Sequence, residues 1–188
     1  MKPLLALFAT CFLFDPAPAP LPASDVPPMQ KITPFLWFDD DAEQAIAFYT
    51  ALFPDSVVLD QSRWGPGGPV PAGTLMTARV RLAGQELMLL NGGPMYPHTE
   101  AFSLFVNCET QEEVDDLWAK LSAGGKTNRC AWLDDKFGVT WQIVPTILGK
   151  LLQDPDPEKS TRVMKAMMQM DKIDIAGLQR AYEGAQAG

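Results

Sequence analysis

The order of hydrophobic periodicities in this chain runs through the same cycle twice, and that recurrence limits the fold more than any single motif. Ile32–Phe38 is apolar and aromatic and reads as a strand. Asp39-Asp40-Asp41 ends it and offers helix caps, and the next segment, to Phe53, carries apolar residues at 45, 46, 48, 49, 52 and 53, a period near 3.6 that Pro54 stops. Ser56–Trp64, Thr74–Leu82 and Gln85–Asn91 read as three strands, separated by the Gly65–Gly73 loop and the tight turn at Ala83-Gly84. The cycle then restarts. Ala101–Cys108 reads as a strand, and Thr110–Leu121 as a helix with Thr110 and Glu113 in a capping box and Val114, Leu117, Trp118 and Leu121 as its buried stripe. Thr127–Leu133 and Gly138–Pro145 read as strands around the Asp134–Gly138 turn, so the second cycle is shorter. Two βαβββ units in tandem are a repeat of fold rather than of sequence.

The flanking segments have a different character. Lys2, the apolar run Leu4–Phe14 and the Pro-Ala repeats after it fit a secretory signal with cleavage near Ala19 or Ala23. They equally fit an extension upstream of a true start at Met29, so 1–28 adds nothing to the fold. The second reading makes the protein cytoplasmic, the first exported. The run is too short to span a bilayer. Beyond Pro145, short helices are expected over 146–153, 158–170 and 173–182. The second carries Val163, Met164, Met167 and Met168 at helical spacing, which suits packing on its own domain better than a promiscuous binding face.

Composition excludes several functions. A net charge of -8 leaves no positive face for phosphates, so no nucleic-acid partner is expected. His98 is the only histidine, which rules out multi-histidine zinc sites within one chain. It lies in a loop and is expected to be exposed. Cys11, Cys108 and Cys130 form no Cys-x-x-Cys pair; the last two lie among apolar residues and read as core, against the sharper alternative of a catalytic cysteine with His98 as base. Asp39–Asp41 and Asp134-Asp135 read as caps and turns rather than metal ligands.

Ile32–Asp40, Phe48-Tyr49, Leu90–Pro94, Glu109–Val114 and Trp132–Pro145 closely resemble, in order and spacing, the 3-demethylubiquinone-9 3-methyltransferase-like (PhnB-like) branch of the vicinal oxygen chelate superfamily, which includes glyoxalases, extradiol dioxygenases and bleomycin-resistance proteins. The resemblance spans Met29 to about Ala185. It implies an α+β fold: two tandem βαβββ modules, 29–95 and 96–145, forming an incomplete barrel around a cavity, with a C-terminal helical extension over 146–188. It also implies a homodimer. Methyl transfer is not supported by the residues, because neither Gly65–Gly73 nor Gly92-Gly93 leads into a helix that could cradle a nucleoside cofactor.

Metal-dependent members take His and Glu ligands from four inward positions. Matching places these at Pro34, near Met88, near Ala101 and at Gln142. Pro and Ala cannot ligate, Met is too soft for the usual metals, and Gln142 offers one neutral carbonyl oxygen. Glu86, on the strand of Met88, would change that reading if it pointed inward. The expectation is a protein with no complete metal site and no cofactor, binding a small organic ligand in a cavity lined by Phe38, Met88, Ser103, Phe105 and Gln142. Strand parity puts Trp37 and Trp141 on the opposite side, against helices. The alternative is a superfamily enzyme with a divergent site; no catalytic residue is identifiable.

Overall fold

The computed structural model describes residues 30–184. The two readings of 1–28 fall outside them. Ile32 onward belongs to one compact unit. Its first module comprises β1 (Phe35–Phe38), α1 (Ala42–Leu52), β2 (Val57–Arg63), β3 (Leu75–Leu82) and β4 (Gln85–Asn91). The second comprises β5 (Leu104–Cys108), α2 (Gln111–Ser122), β6 (Lys126–Thr127), β7 (Trp132–Asp134) and β8 (Thr140–Pro145). Each folds into an open four-stranded sheet, ordered β1-β4-β3-β2 and β5-β8-β7-β6. The first strand of each module pairs in parallel with its last, and the remaining pairs are antiparallel. These are the two tandem βαβββ units.

One face of each sheet is covered and the other is open. Leu36 and Phe38 of β1, Ala78 and Val80 of β3, and Leu87 and Leu89 of β4 turn toward α1, whose Ala45, Ile46 and Tyr49 complete the layer. Cys108, Leu133, Trp141 and Ile143 join the same core from the second sheet, with Val114, Leu117 and Leu121 of α2. The alternation of the strands leaves Phe35, Trp37, Met88 and Leu90 on the open face of the first sheet, where Phe35 pairs with Met88 and Trp37 with Leu90.

Local details differ from the sequence reading in three places. Asp41 occupies the N-cap of α1 without a side-chain cap bond. Asn91, at the end of β4, supplies it instead: its Oδ1 accepts from Ala42 N at 2.9 Å while its Nδ2 donates to Leu75 O at 3.2 Å. In α2, Thr110 Oγ1 accepts from Glu113 N at 3.2 Å, but Glu113 reaches one residue further back, to Glu109 N at 2.7 Å, so the capping box is displaced by one position. Third, Thr127–Leu133 is not one strand. Cys130 and Ala131 have φ of 60° and 74°, which splits the segment into β6 and β7 and restores the fourth strand of the repeat.

Beyond β8 come α3 (Thr146–Leu152), α4 (Pro157–Met167) and α5 (Ile175–Glu183). Pro157 opens α4, where it forfeits no bond, and Asp156 Oδ1 caps it by accepting from Glu158 N at 2.9 Å. Leu148, Val163, Ile173 and Leu178 close a second apolar cluster on Ala131, with Met167 partly buried in it. Met164 and Met168 face solvent, so the methionine stripe is only half absorbed by packing. Cys130 N and Ala131 N donate to Met170 O and Asp171 O, each at 2.8 Å, hooking the extension to the kink before β7. Among the described residues, no helix is long and apolar enough to cross a membrane.

Candidate functional site

The open face of the second sheet carries a cleft. Strand register sets Gln142 between Phe105 on β5 and Trp132 on β7. Gln142 Nε2 donates to Ser103 Oγ at 2.8 Å, which fixes the amide and leaves its carbonyl oxygen for another partner. Asn107 and Val144 continue the face, and α3 and α4 form the facing wall with Thr146, Leu148, Gly149, Leu152 and Met167. The space between has a volume of about 360 Å³, in the range of small-molecule sites. Cys130 lines it as well, and no lining residue carries a charge.

Of the five side chains singled out from sequence, Ser103, Phe105 and Gln142 are brought together here. Met88 lies on the open face of the other sheet, and Phe38 is only 2% exposed, in the core beneath α1. The parity assumed for β1 is therefore reversed: Phe38 packs under the helix, while Trp37 shares a face with Phe35. Trp37 lies over Gly92, donates from Nε1 to Gly93 O at 2.7 Å and meets Tyr96 edge-on at 5.0 Å. Trp141 does pack against a helix, edge-on to Tyr49 of α1 at 5.3 Å, and is stacked at 5.6 Å on Phe53, just past the end of α1.

Glu86 shares the face of Met88, so it does point to the open side. Its Oε1 accepts from Arg81 at 2.7 Å, and Arg79 approaches its Oε2 at 3.8 Å and pairs with Asp60 at 2.8 Å. The carboxylate is already engaged by two guanidinium groups. Among the described residues, no three His, Cys, Asp or Glu side chains are placed to share a metal ion.

The most densely bonded polar group is one that the sequence presents as a turn residue. Asp135 is 3% exposed and accepts four hydrogen bonds. Phe137 N and Val139 N reach Oδ1 at 2.9 and 3.0 Å. Tyr49 Oη and Trp141 Nε1 reach Oδ2 at 2.6 and 2.8 Å. Burial first, then the Asp135 charge, pushes the Tyr49 phenol far above its usual range. Tyr49 stands on a helix stripe where Phe would serve packing alike, and a buried tyrosine hydroxyl needs a partner; that is the one sequence signal for this hub.

His98 is half-buried rather than exposed, its ring edge-on to Phe38 at 5.0 Å. Its Nε2 is enclosed without a hydrogen-bond partner among the described residues. An imidazolium would have to place a second N–H in those surroundings, so burial lowers its pKa despite the attraction of Asp135 and Asp41. Burial also raises the pKa of Asp41, with Asp40 and Asp39 adding repulsion. Cys108 is enclosed, and burial pushes its thiol up to about 12, with Glu113 and Glu109 contributing. Cys130 Sγ lies 3.9 Å from Met167 O, while His98 meets Phe38.

Comparison with known proteins adds the ancestry of this arrangement. The family described as 3-demethylubiquinone-9 3-methyltransferase matches residues 30–144. The chain is similar to the PhnB protein of Bacillus cereus, with 39% identity and a TM-score of 0.58 over 62% of this chain and 100% of that one. It is also similar in fold to a protein of Pseudomonas aeruginosa, with 24% identity and a TM-score of 0.51 over 62% and 97% of the two chains. No curated protein sequence matches it.

Proposed function

This chain belongs to the 3-demethylubiquinone-9 3-methyltransferase family, the PhnB-like branch of the vicinal oxygen chelate superfamily, and from that premise we propose that it binds an uncharged small organic molecule in the cleft on its second sheet. The observation that carries this reading is the lining: about 360 Å³ of space bounded by Phe105, Trp132, Val144 and Leu148, with Gln142 held in one orientation and no charged side chain. An ionic ligand would surrender its hydration there without a compensating partner, whereas a neutral aromatic or aliphatic one gains apolar contact. The Gln142 carbonyl and Asn107 would orient it through a hydrogen-bond donor on the ligand.

The residues do not fit the divalent metal that the superfamily uses. Pro34, Met88, Ala101 and Gln142 offer one neutral oxygen between them, and the nearby Glu86 is committed to Arg81 and Arg79. Methyl transfer is left out on similar grounds: Gly65–Gly73 joins β2 to β3 and Gly92-Gly93 leaves β4, so neither opens a helix that could cradle a nucleoside cofactor. Exposed Phe35, Met95 and Tyr96, at 50, 71 and 59%, support assembly as a homodimer, which sedimentation equilibrium tests.

A thermal-shift series with matched neutral and anionic aromatics tests the cleft. A neutral ligand at a hundred times its Kd adds about 2.7 kcal/mol of stability, which raises the midpoint of a chain of this size by roughly 5–10 °C. Gln142→Leu should reduce that shift, and the anionic analogues should give none. Equal shifts for both series, or one full equivalent of zinc, nickel or iron retained by protein purified without added metal, would defeat the proposal.

A further inference from the structure

The wall opposite the sheet begins at Thr146, beyond the last residue of the family match at 144. It lies outside the two modules that the family match covers. At its centre, within α3, stands Gly149. A glycine inside a helix is unfavourable relative to alanine, because it has more backbone freedom to lose. Two reasons ordinarily justify one: a neighbour that leaves no room for a Cβ, or a left-handed backbone. Both occur elsewhere in this molecule. At Gly125 a Cβ would lie 2.0 Å from Asp134 O, and Gly138 has φ of 82°. Neither applies at Gly149, whose backbone is helical and where a Cβ would meet nothing within 4 Å. Gly149 is exposed and lines the cleft, so the space above it opens onto the cleft.

We infer that α3 and α4 form the specificity wall of this cleft, and that Gly149 marks where the flat face of an uncharged, planar ligand lies against bare helix backbone, with Phe105 and Trp132 on its other side. The inference rests on the proposed ligand cleft and adds to it a shape and a determining residue. Leu152 and Met167 line the same cleft and limit the ligand's breadth. A Cβ at 149 meets no neighbouring atom within 4 Å, so a longer side chain there has room to extend into the volume a ring needs. Gly149 is in this respect the reverse of Gly125, where an added Cβ would collide with Asp134 O.

The test uses the full chain and N-phenyl-1-naphthylamine, an uncharged aromatic amine whose fluorescence rises in apolar surroundings. The wild type should bind it saturably. Gly149→Ala should raise the unfolding midpoint by about 2–4 °C. Gly149→Leu should raise the Kd about tenfold or more while its circular dichroism stays that of the wild type. Leu152→Ala, which widens the wall without touching Gly149, should raise the affinity for the bulkier neutral dye Nile red relative to the first probe by about threefold. Saturable wild-type binding with an unchanged Kd in Gly149→Leu overturns the wall and leaves the cleft. If Gly149→Leu does not fold, an unchanged probe ratio in Leu152→Ala overturns it. No saturable binding by the wild type overturns the cleft and the wall together.

Discussion

Replacing Asp135 by Asn is the sharpest probe of how the two modules are held together. The carboxylate uses both oxygens, each for two donors: Oδ1 for the Phe137 and Val139 amides, Oδ2 for Tyr49 Oη and Trp141 Nε1. Asparagine has one oxygen. If that oxygen keeps the two amides, the NH2 group faces Tyr49 and Trp141. The tyrosine hydroxyl can rotate and accept, but an indole N–H can only donate, so Trp141 is left unsatisfied in the core. A buried unsatisfied donor costs about 1–3 kcal/mol, and loss of the charge-assisted bonds adds about 1 kcal/mol more, for a total of about 2–4 kcal/mol. Tyr49→Phe removes one hydroxyl–carboxylate bond and should cost about 1.5–3 kcal/mol. Because both changes break the same contact, the double variant should fall short of their sum by about 1–2 kcal/mol. Urea unfolding followed by tryptophan fluorescence measures all three. Single-variant losses below about 0.5 kcal/mol, or strict additivity, would refute the view that this carboxylate locks α1 to the β7–β8 turn.

Three further outcomes are expected. The raised phenol of Tyr49 contributes stability that is complete below the unfolded value near 10 and is lost as pH climbs beyond it, so urea midpoints should fall above about pH 10 in the wild type and less steeply in Tyr49→Phe. The lone histidine should titrate below its ordinary 6.5 in an NMR pH series; since its folded value is depressed, its contribution to stability holds above about pH 6.5 and fades as pH drops through the folded value, and a normal or raised value would contradict the enclosure of Nε2. Iodoacetamide at neutral pH should modify Cys130, half-buried at the cleft, before Cys108, whose thiol is enclosed and pushed up to about 12; mass spectrometry of tryptic peptides gives the order, and equal rates would argue against the core placement of Cys108.

How much of this is legible in the sequence follows from which forces are local. Helix and strand order is written in the periodicity of residues such as Val114, Leu117 and Leu121, and in stops such as Pro54, so the duplicated unit can be read directly. Strand facing is not legible in β1, because Phe35, Leu36, Trp37 and Phe38 are all apolar and show no alternation to say which side is wet. The break between β6 and β7 takes its positive φ not at Asn128 but at Cys130 and Ala131, which are held there by hydrogen bonds to Met170 and Asp171, some forty residues away in sequence. Asp135 is both turn residue and buried acceptor, and only the turn is local. Ser103 and Gln142 meet because β5 and β8 pair, which the family resemblance supplied and periodicity did not.

The contact between Tyr49 and Asp135 also bears on how independent the two halves remain. Here Phe53, just past α1 of the first copy, stacks on Trp141 of the second, and Tyr49 of α1 gives its phenol to the second copy's turn. Cut between β4 and β5, the first half would expose an aromatic helix face, and the second a charged carboxylate short of two donors. Neither half could be exchanged for its counterpart from a relative unless both sides of that seam were carried across together. Any recombination or module-swapping scheme for this protein has to treat the pair, not the single βαβββ unit, as the piece that can be moved.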